Sequence, residues 1–268
     1  MRRLLTILAI AIVSLGVSAQ DADSVRRVID SMPSFGIYKD NYFTLGTSIG
    51  PKITRENSDV KFQISVRQRL TNSVLPFGSY LFLFHSQKTL WNVFEKSLPM
   101  RDINFNPGIG WARMIIEQGR VTGNVTLLIE HESNGRDSVQ SRSWNKLGVS
   151  ANYFVNPTLM VHGKAFIPII DGEHNKDILD YSGCVQLGLQ KMPLNKRWVF
   201  NLTVVKRRGW NLNFNTIAEF GLHLKEEANQ YLFVQYYNGY GECLLDYNQF
   251  HSRLRIGLLI RPKYFSDF

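Results

Sequence analysis

His131 and Ser133 stand two residues apart, and Asn145 follows fourteen residues after the histidine. A serine hydroxyl becomes a nucleophile when an imidazole takes its proton. An acceptor on the other ring nitrogen fixes the tautomer that can do this. Ser133, His131 and Asn145 within reach of one another could therefore hydrolyse acyl esters. An amide orients the ring but does not offset the imidazolium charge as a carboxylate does, so such a site needs electrostatic help from elsewhere. A His-x-Ser pair alone is a frequent coincidence on a solvated surface. Its weight here comes from the elements that carry it.

Those elements alternate with period two. Over 122–133, Val125, Leu127 and Ile129 share one parity, and His131 and Ser133 continue it. Over 144–155, Leu147, Val149, Ala151, Tyr153 and Val155 form the apolar parity. Asn145 shares it, while Lys146, Ser150 and Asn152 take the other. Residues two apart on a strand lie ~7 Å apart at Cα on one face. The three polar side chains thus project from an apolar wall, at one end of adjacent strands. Polar groups facing hydrocarbon are costly unless paired. Asn134-Gly135 reads as the turn that ends the first of these strands.

The same alternation runs through the chain. Val60, Phe62, Ile64 and Val66 oppose Lys61, Gln63, Ser65 and Arg67. Leu254, Ile256, Leu258 and Ile260 oppose Arg253, Arg255 and Gly257. One greasy and one polar face is a strand with unlike surroundings on its two sides. Segments of this kind fall near 43–49, 60–69, 78–92, 103–115, 122–133, 144–155, 157–168, 181–191, 197–207, 214–224, 230–240 and 250–261. An even number of strands, each near ten residues, fits an all-β chain folded as a twelve-stranded antiparallel transmembrane β-barrel. Tight turns such as Asn156-Pro157 alternate with longer loops such as 171–180. Tyr80, Phe82, Phe84, Trp91, Tyr236, Tyr237, Tyr264 and Phe265 are candidates for interfacial girdles, and the chain ends on an aromatic, Phe268. A soluble β-sandwich also alternates, but charges on the inward parity of successive strands favour the barrel.

Residues 1–19 read as a cleaved signal peptide: Arg2 and Arg3, an apolar run from Leu4 to Val17, and Val17-Ser18-Ala19 before the cut. A polar terminal segment, 20–40, with a short helix over Ser24 to Met32, precedes the barrel at 41–268. Mean hydropathy is −0.15, which excludes a helical membrane protein but not a barrel. The formal charge of +9 falls by two with the signal. No compact basic run with interleaved aromatics marks a nucleic-acid strip, and scattered solvated charges are the simpler reading. Cys184 and Cys243 could form one bridge but read better as small buried residues.

The run His131-Glu132-Ser133-Asn134-Gly135-Arg136, followed by Ser141-Arg142-Ser143-Trp144-Asn145, resembles the signature of the outer-membrane phospholipase A family. The resemblance continues in Gln87-Lys88-Thr89-Leu90-Trp91, in 99–105, and in Tyr237-Asn238-Gly239-Tyr240-Gly241-Glu242. It implies a twelve-stranded barrel in the bacterial outer membrane that hydrolyses acyl esters of phospholipids and lysophospholipids. It also implies calcium (Ca2+) dependence and activity as a homodimer. Carried over, His131, Ser133 and Asn145 are the triad, and the Gly135 amide serves the oxyanion. The Arg136 carbonyl and Ser141 side chain hold calcium, completed by the Ser97 carbonyl of a second copy. The sequence departs from the family pattern at Ser138, where the family carries an acidic residue; Asp137 stands one position earlier.

Gln87 matches a polar residue of the family's dimer interface, or is an ordinary inward glutamine. Glu219, His223, His162, Lys164, Gln186 and Gln190 read as a lumen network. Glu132 points inward and is a poor triad member. The loop 171–177 reads as solvated, since its oxygens lack a ligand spacing. Two other functions compete: a lipid A deacylase, which also uses a His-x-Ser pair on a smaller barrel, and a passive porin. Neither explains three outward polar residues together with the run from Ser141 to Asn145.

Overall fold

The computed structural model describes residues 19–170, 172–225 and 228–262. Residues 1–18 of the expected signal peptide, and the aromatics Tyr264, Phe265 and Phe268, lie outside these. Helix α1 (Ala19–Ser31) leads into a sheet of β1 (Phe35–Ile37), β2 (Asn41–Ser48), β3 (Ser58–Arg69), β4 (Tyr80–Trp91), β5 (Met100–Glu117), β6 (Arg120–Ser133) and β7 (Ser143–Asn156). There follow β8 (Leu159–Ile169), α2 (Ile178–Ser182), β9 (Val185–Lys191), β10 (Trp198–Lys206), β11 (Phe214–His223), β12 (Gln230–Gly239) and β13 (His251–Ile260). All pairings are antiparallel, and β13–β2 together with β3–β4 close the ring.

Thirteen strands make twelve wall positions, because β1 and β2 lie in succession along β3. Phe35 pairs with Gln68 and Ile37 with Val66; Tyr42 then pairs with Gln63. The break at Tyr38–Asp40 is held by Ser65, whose carbonyl accepts the Tyr38 amide at 3.2 Å and whose hydroxyl accepts the Lys39 amide at 3.2 Å. The wall thus begins ahead of the alternation that starts at Asn41.

The break turns Tyr38 inward, and here an expectation fails. Tyr80, Phe82 and Phe84 are not a girdle. They are buried in the lumen, where Tyr38 stacks on Phe84 at 4.4 Å between ring centroids. Tyr237 is buried too. The reason is across the sheet: Gly108 pairs with Phe84 and Gly110 with Phe82, and a side chain on either glycine would overlap the facing ring. Gly110→Ala should therefore lower stability by about 1–3 kcal/mol, read as a lower urea midpoint of tryptophan fluorescence in micelles.

Elsewhere parity holds. Val125, Leu127, Ile129, Leu147, Leu254, Ile256, Leu258 and Ile260 are all exposed on the outside, as a wall facing lipid requires. The inside is charged and paired. Arg255 reaches Asp59 at 2.8 Å and Glu242 at 2.5 Å; Lys61 reaches Glu242 at 3.1 Å, and Lys164 reaches Glu130 at 2.5 Å. His162, Gln190 and Gln235 are buried in the same interior.

Turns at 118–119 and 157–158 mark one end of the barrel; the loops 134–142, 170–184 and 240–250 mark the other. At the short-turn end, the Arg69 guanidinium donates to the carbonyls of Asp30 and Met32 at 2.8 and 3.0 Å, tying down the last turn of α1. At the other end, the loop 240–250 folds into the lumen. Leu244 and Tyr247 pack with Trp144 and Ile178, and the Leu244 amide donates to Asn104 at 3.0 Å. Burial opposes ionisation of Asp246, but hydrogen bonding to His251 and the Arg101 guanidinium overcome it and hold the carboxyl at about 2. Cys243 and Cys184 are both free thiols, and burial beside Asp246 pushes the Cys243 thiol well up.

Candidate active site

The outer face of β6 stays apolar through Ile129 and becomes polar at its loop end, where His131 and Ser133 lie half-buried. β7 runs back beside it, with Asn145 directly across from His131 and Ser143 across from Ser133. His131 Nδ1 and Asn145 Oδ1 are 2.8 Å apart. An amide oxygen can only accept, so Nδ1 carries the proton and Nε2 keeps its lone pair. Ser133 sits two residues on, on the same face. In resting enzymes the serine–histidine hydrogen bond is often long and tightens only with substrate.

The strands are braced from inside. Asn106 Nδ2 donates to the His131 carbonyl at 2.8 Å. Glu132 points inward, accepting Trp144 Nε1 at 2.9 Å and pairing with Lys146. Its alternation with His131 and Ser133 separates the lumen charges from the outer site.

Beyond Ser133 the chain is held by Asn134, which is buried. Its Oδ1 accepts the Arg142 amide at 3.0 Å, and its Nδ2 donates to the Gln140 carbonyl at 2.9 Å. This side chain closes the loop 134–142 as an Asx-type brace. Gly135 follows with φ +62, and a Cβ there would stand 3.1 Å from the Phe105 ring. The positive φ favours glycine, and a Cβ would also crowd the Phe105 ring.

The Arg136 carbonyl and the Ser141 hydroxyl make no hydrogen bond among the described residues. Both are oxygen donors of the kind calcium takes, and both lie on the loop that Asn134 closes. Ser97 lies exposed in the turn between β4 and β5, at φ +67. No group of three or more His, Cys, Asp or Glu residues arranged to hold a metal occurs among the described residues. An ion on this loop would depend on carbonyl, hydroxyl and water oxygens.

Gln87 sits on the outer face, paired with Ile64 and Phe105, and donates to Thr89 Oγ1 at 3.3 Å; the inward alternative is set aside. The loop 171–177 is not merely solvated, although Asp171 lies outside the described residues. Asn175 is fully buried and brackets Ser143, accepting its amide at 3.2 Å and donating to its carbonyl at 2.8 Å. Asp177 accepts the Tyr247 hydroxyl. Sequence reading missed Asn134, Asn175 and Asn106 as the braces of the site. Only Asn134 carried a signal, its place in an Asn-Gly turn.

Comparison with known proteins gives one answer. The family model of phospholipase A1 matches residues 33–260. A phospholipase A1 of Escherichia coli strain K12 is 31% identical over 210 residues, covering 75% of this chain and 69% of that protein. One from Klebsiella pneumoniae is 29% identical over 210 residues, covering 75% and 70%. Among solved structures, outer membrane phospholipase A from Escherichia coli matches with a TM-score of 0.75 at 24% identity, over 89% of this chain and 97% of that one. An outer membrane phospholipase dimer with bound calcium, from Salmonella typhi, matches with a TM-score of 0.75 at 24% identity, over 88% and 96%.

Proposed function

The chain belongs to the phospholipase A1 family, and from that premise we propose that it hydrolyses phospholipid and lysophospholipid acyl esters at the outer membrane through Ser133, His131 and Asn145. The observation that carries this reading is the 2.8 Å pairing of His131 with Asn145 on the lipid-facing wall, beside Ser133.

Ser133 Oγ attacks the ester carbonyl carbon as its proton passes to His131 Nε2. Asn145 Oδ1 holds the ring through Nδ1–H while the imidazolium exists. The developing oxyanion accepts a hydrogen bond from the Gly135 amide. His131 then gives its proton to the departing alcohol oxygen, leaving an acyl-serine. A water, deprotonated by His131, attacks that ester; its collapse releases the fatty acid and returns the proton to Ser133.

Calcium, when bound, would supply positive charge that stabilises the oxyanion, making up for the imidazolium stabilisation that the neutral Asn145 does not provide. The Arg136 carbonyl and Ser141 hydroxyl would hold it, with the Ser97 carbonyl of a second copy. That division of ligands would make the homodimer the active form and restrain an enzyme that sits among its substrate. Residues 1–19 would direct export and be removed.

Two readings fall away on particular observations. The twelve wall positions do not suit a smaller deacylase barrel. The packed loop 240–250 and the paired interior charges do not suit a porin. The test is fatty-acid release from phosphatidylcholine mixed micelles, with calcium and with chelator. Release should fall at least tenfold on chelation and return with calcium, since an electrostatic stabiliser of this kind contributes roughly 10²–10³-fold. Release indifferent to chelator would remove the calcium role.

A further inference from the structure

A buried carboxylate lies behind the loop that carries Gly135. Asp102, on the inner face of β5, has no exposed surface. Its Oδ2 accepts Asn104 Nδ2 at 2.6 Å and the Leu245 amide at 2.9 Å. Its Oδ1 is buried without a hydrogen bond among the described residues. The cation facing that oxygen is Arg136, with Nε at 4.0 Å. The same guanidinium donates to the Arg101 carbonyl at 2.5 Å and to Gln140 Oε1 at 2.5 Å. It therefore ties the end of β5 to both sides of the loop.

The backbone between Asn134 and the 138–140 turn has little else to hold it. The Arg136 amide has one hydrogen bond among the described residues, at 3.4 Å to Asn134 Oδ1. Gly135 is exposed, with the free rotation of glycine. This is the stretch whose Gly135 amide and Arg136 carbonyl the proposed function uses. We propose that Asp102 is a positioning residue: by fixing the Arg136 guanidinium from behind, it orients the Gly135 amide and the Arg136 carbonyl. The proposal rests on the assignment of Ser133 as nucleophile. A neutral side chain at 102 would leave Oδ2's two hydrogen bonds replaceable but would give up the charge that the guanidinium faces.

The experiment uses the full chain refolded in micelles, with folding checked by heat-dependent gel mobility. Asp102→Asn, Asp102→Glu and Arg136→Met are compared in three measurements: hydrolysis, covalent labelling of Ser133 by a sulfonyl fluoride in chelator, and calcium binding by calorimetry. Asp102→Asn should lower kcat about 10–100-fold with little change in KM, the scale of a small misplacement of catalytic geometry. Labelling should slow and the calcium half-saturation point should rise. Asp102→Glu should recover most of the rate, and Arg136→Met should reproduce the Asp102→Asn profile. Folded Asp102→Asn with normal kcat and calcium binding overturns the proposal, as does loss in Asp102→Asn with none in Arg136→Met. If Asp102→Asn does not fold, Arg136→Met decides alone. Absence of labelling at Ser133 in the unsubstituted protein would instead defeat the triad, a separate failure.

Discussion

Ser133→Ala should reduce fatty-acid release by roughly 10⁴–10⁶-fold, the cost of removing a serine nucleophile that acts as one unit with its base. Ser133 pairs in register with Ser143, but that residue lies across from it on β7, with its backbone bracketed by Asn175. Asn145→Ala should cost less, roughly 10²-fold, because the amide orients His131 without countering its charge. The measurement is release from micelles by protein shown to be folded, so that rate and stability are separated. Near-normal release by Ser133→Ala would move the nucleophile elsewhere and leave the His131–Asn145 pair a structural contact.

The second large effect is on stability. Glu242 is buried in the inward loop and receives Arg255 at 2.5 Å and Lys61 at 3.1 Å, with Arg253 at 3.7 Å. Glu242→Gln takes away the carboxylate facing Lys61 and leaves Arg255 and Arg253 to share Asp59, which should cost about 3 kcal/mol. Burial by itself would raise the Glu242 carboxyl, but the Arg255, Lys61 and Arg253 charges outweigh it and hold it well below the usual range. A depressed carboxyl stabilises the fold above its unfolded pKa of ~4.3 and stops doing so as pH falls through the folded value. The unsubstituted barrel should therefore lose urea resistance only in strong acid, while Glu242→Gln starts low at neutral pH. Equal midpoints for the two proteins at neutral pH would show that the three cations find other partners.

The barrel was legible because period two survives in nearly every segment, and parity alone placed His131, Ser133 and Asn145 on one outer face. Where both faces of a strand are apolar, parity stops discriminating. On β4 the outward Leu81 and Leu83 alternate with the inward Phe82 and Phe84, so nothing in the strand itself marks the rings as lumenal. Their direction is decided by Gly108 and Gly110, on a different strand. The break at Tyr38–Asp40 was hidden for a like reason: it depends on Ser65 of β3. Asn175 lies in a polar loop that looks solvated, and Glu242 lies in a connection without period two; their burial follows from ring closure, which brings distant segments over one opening. Contacts between residues far apart in the chain leave no periodic trace.

The inward loop 240–250 has a further meaning for transport and for encounter. With that loop packed into one end of the lumen and charged side chains lining the rest, the barrel offers lipid no apolar route through its middle, so on the proposed reading a substrate reaches Ser133 by drifting sideways within the membrane plane. The reaction then obeys surface chemistry: its rate follows the mole fraction of phospholipid in the leaflet that meets the loop end of β6, not the amount of lipid in solution. A change in which lipids occupy that leaflet would alter turnover without any change in the protein.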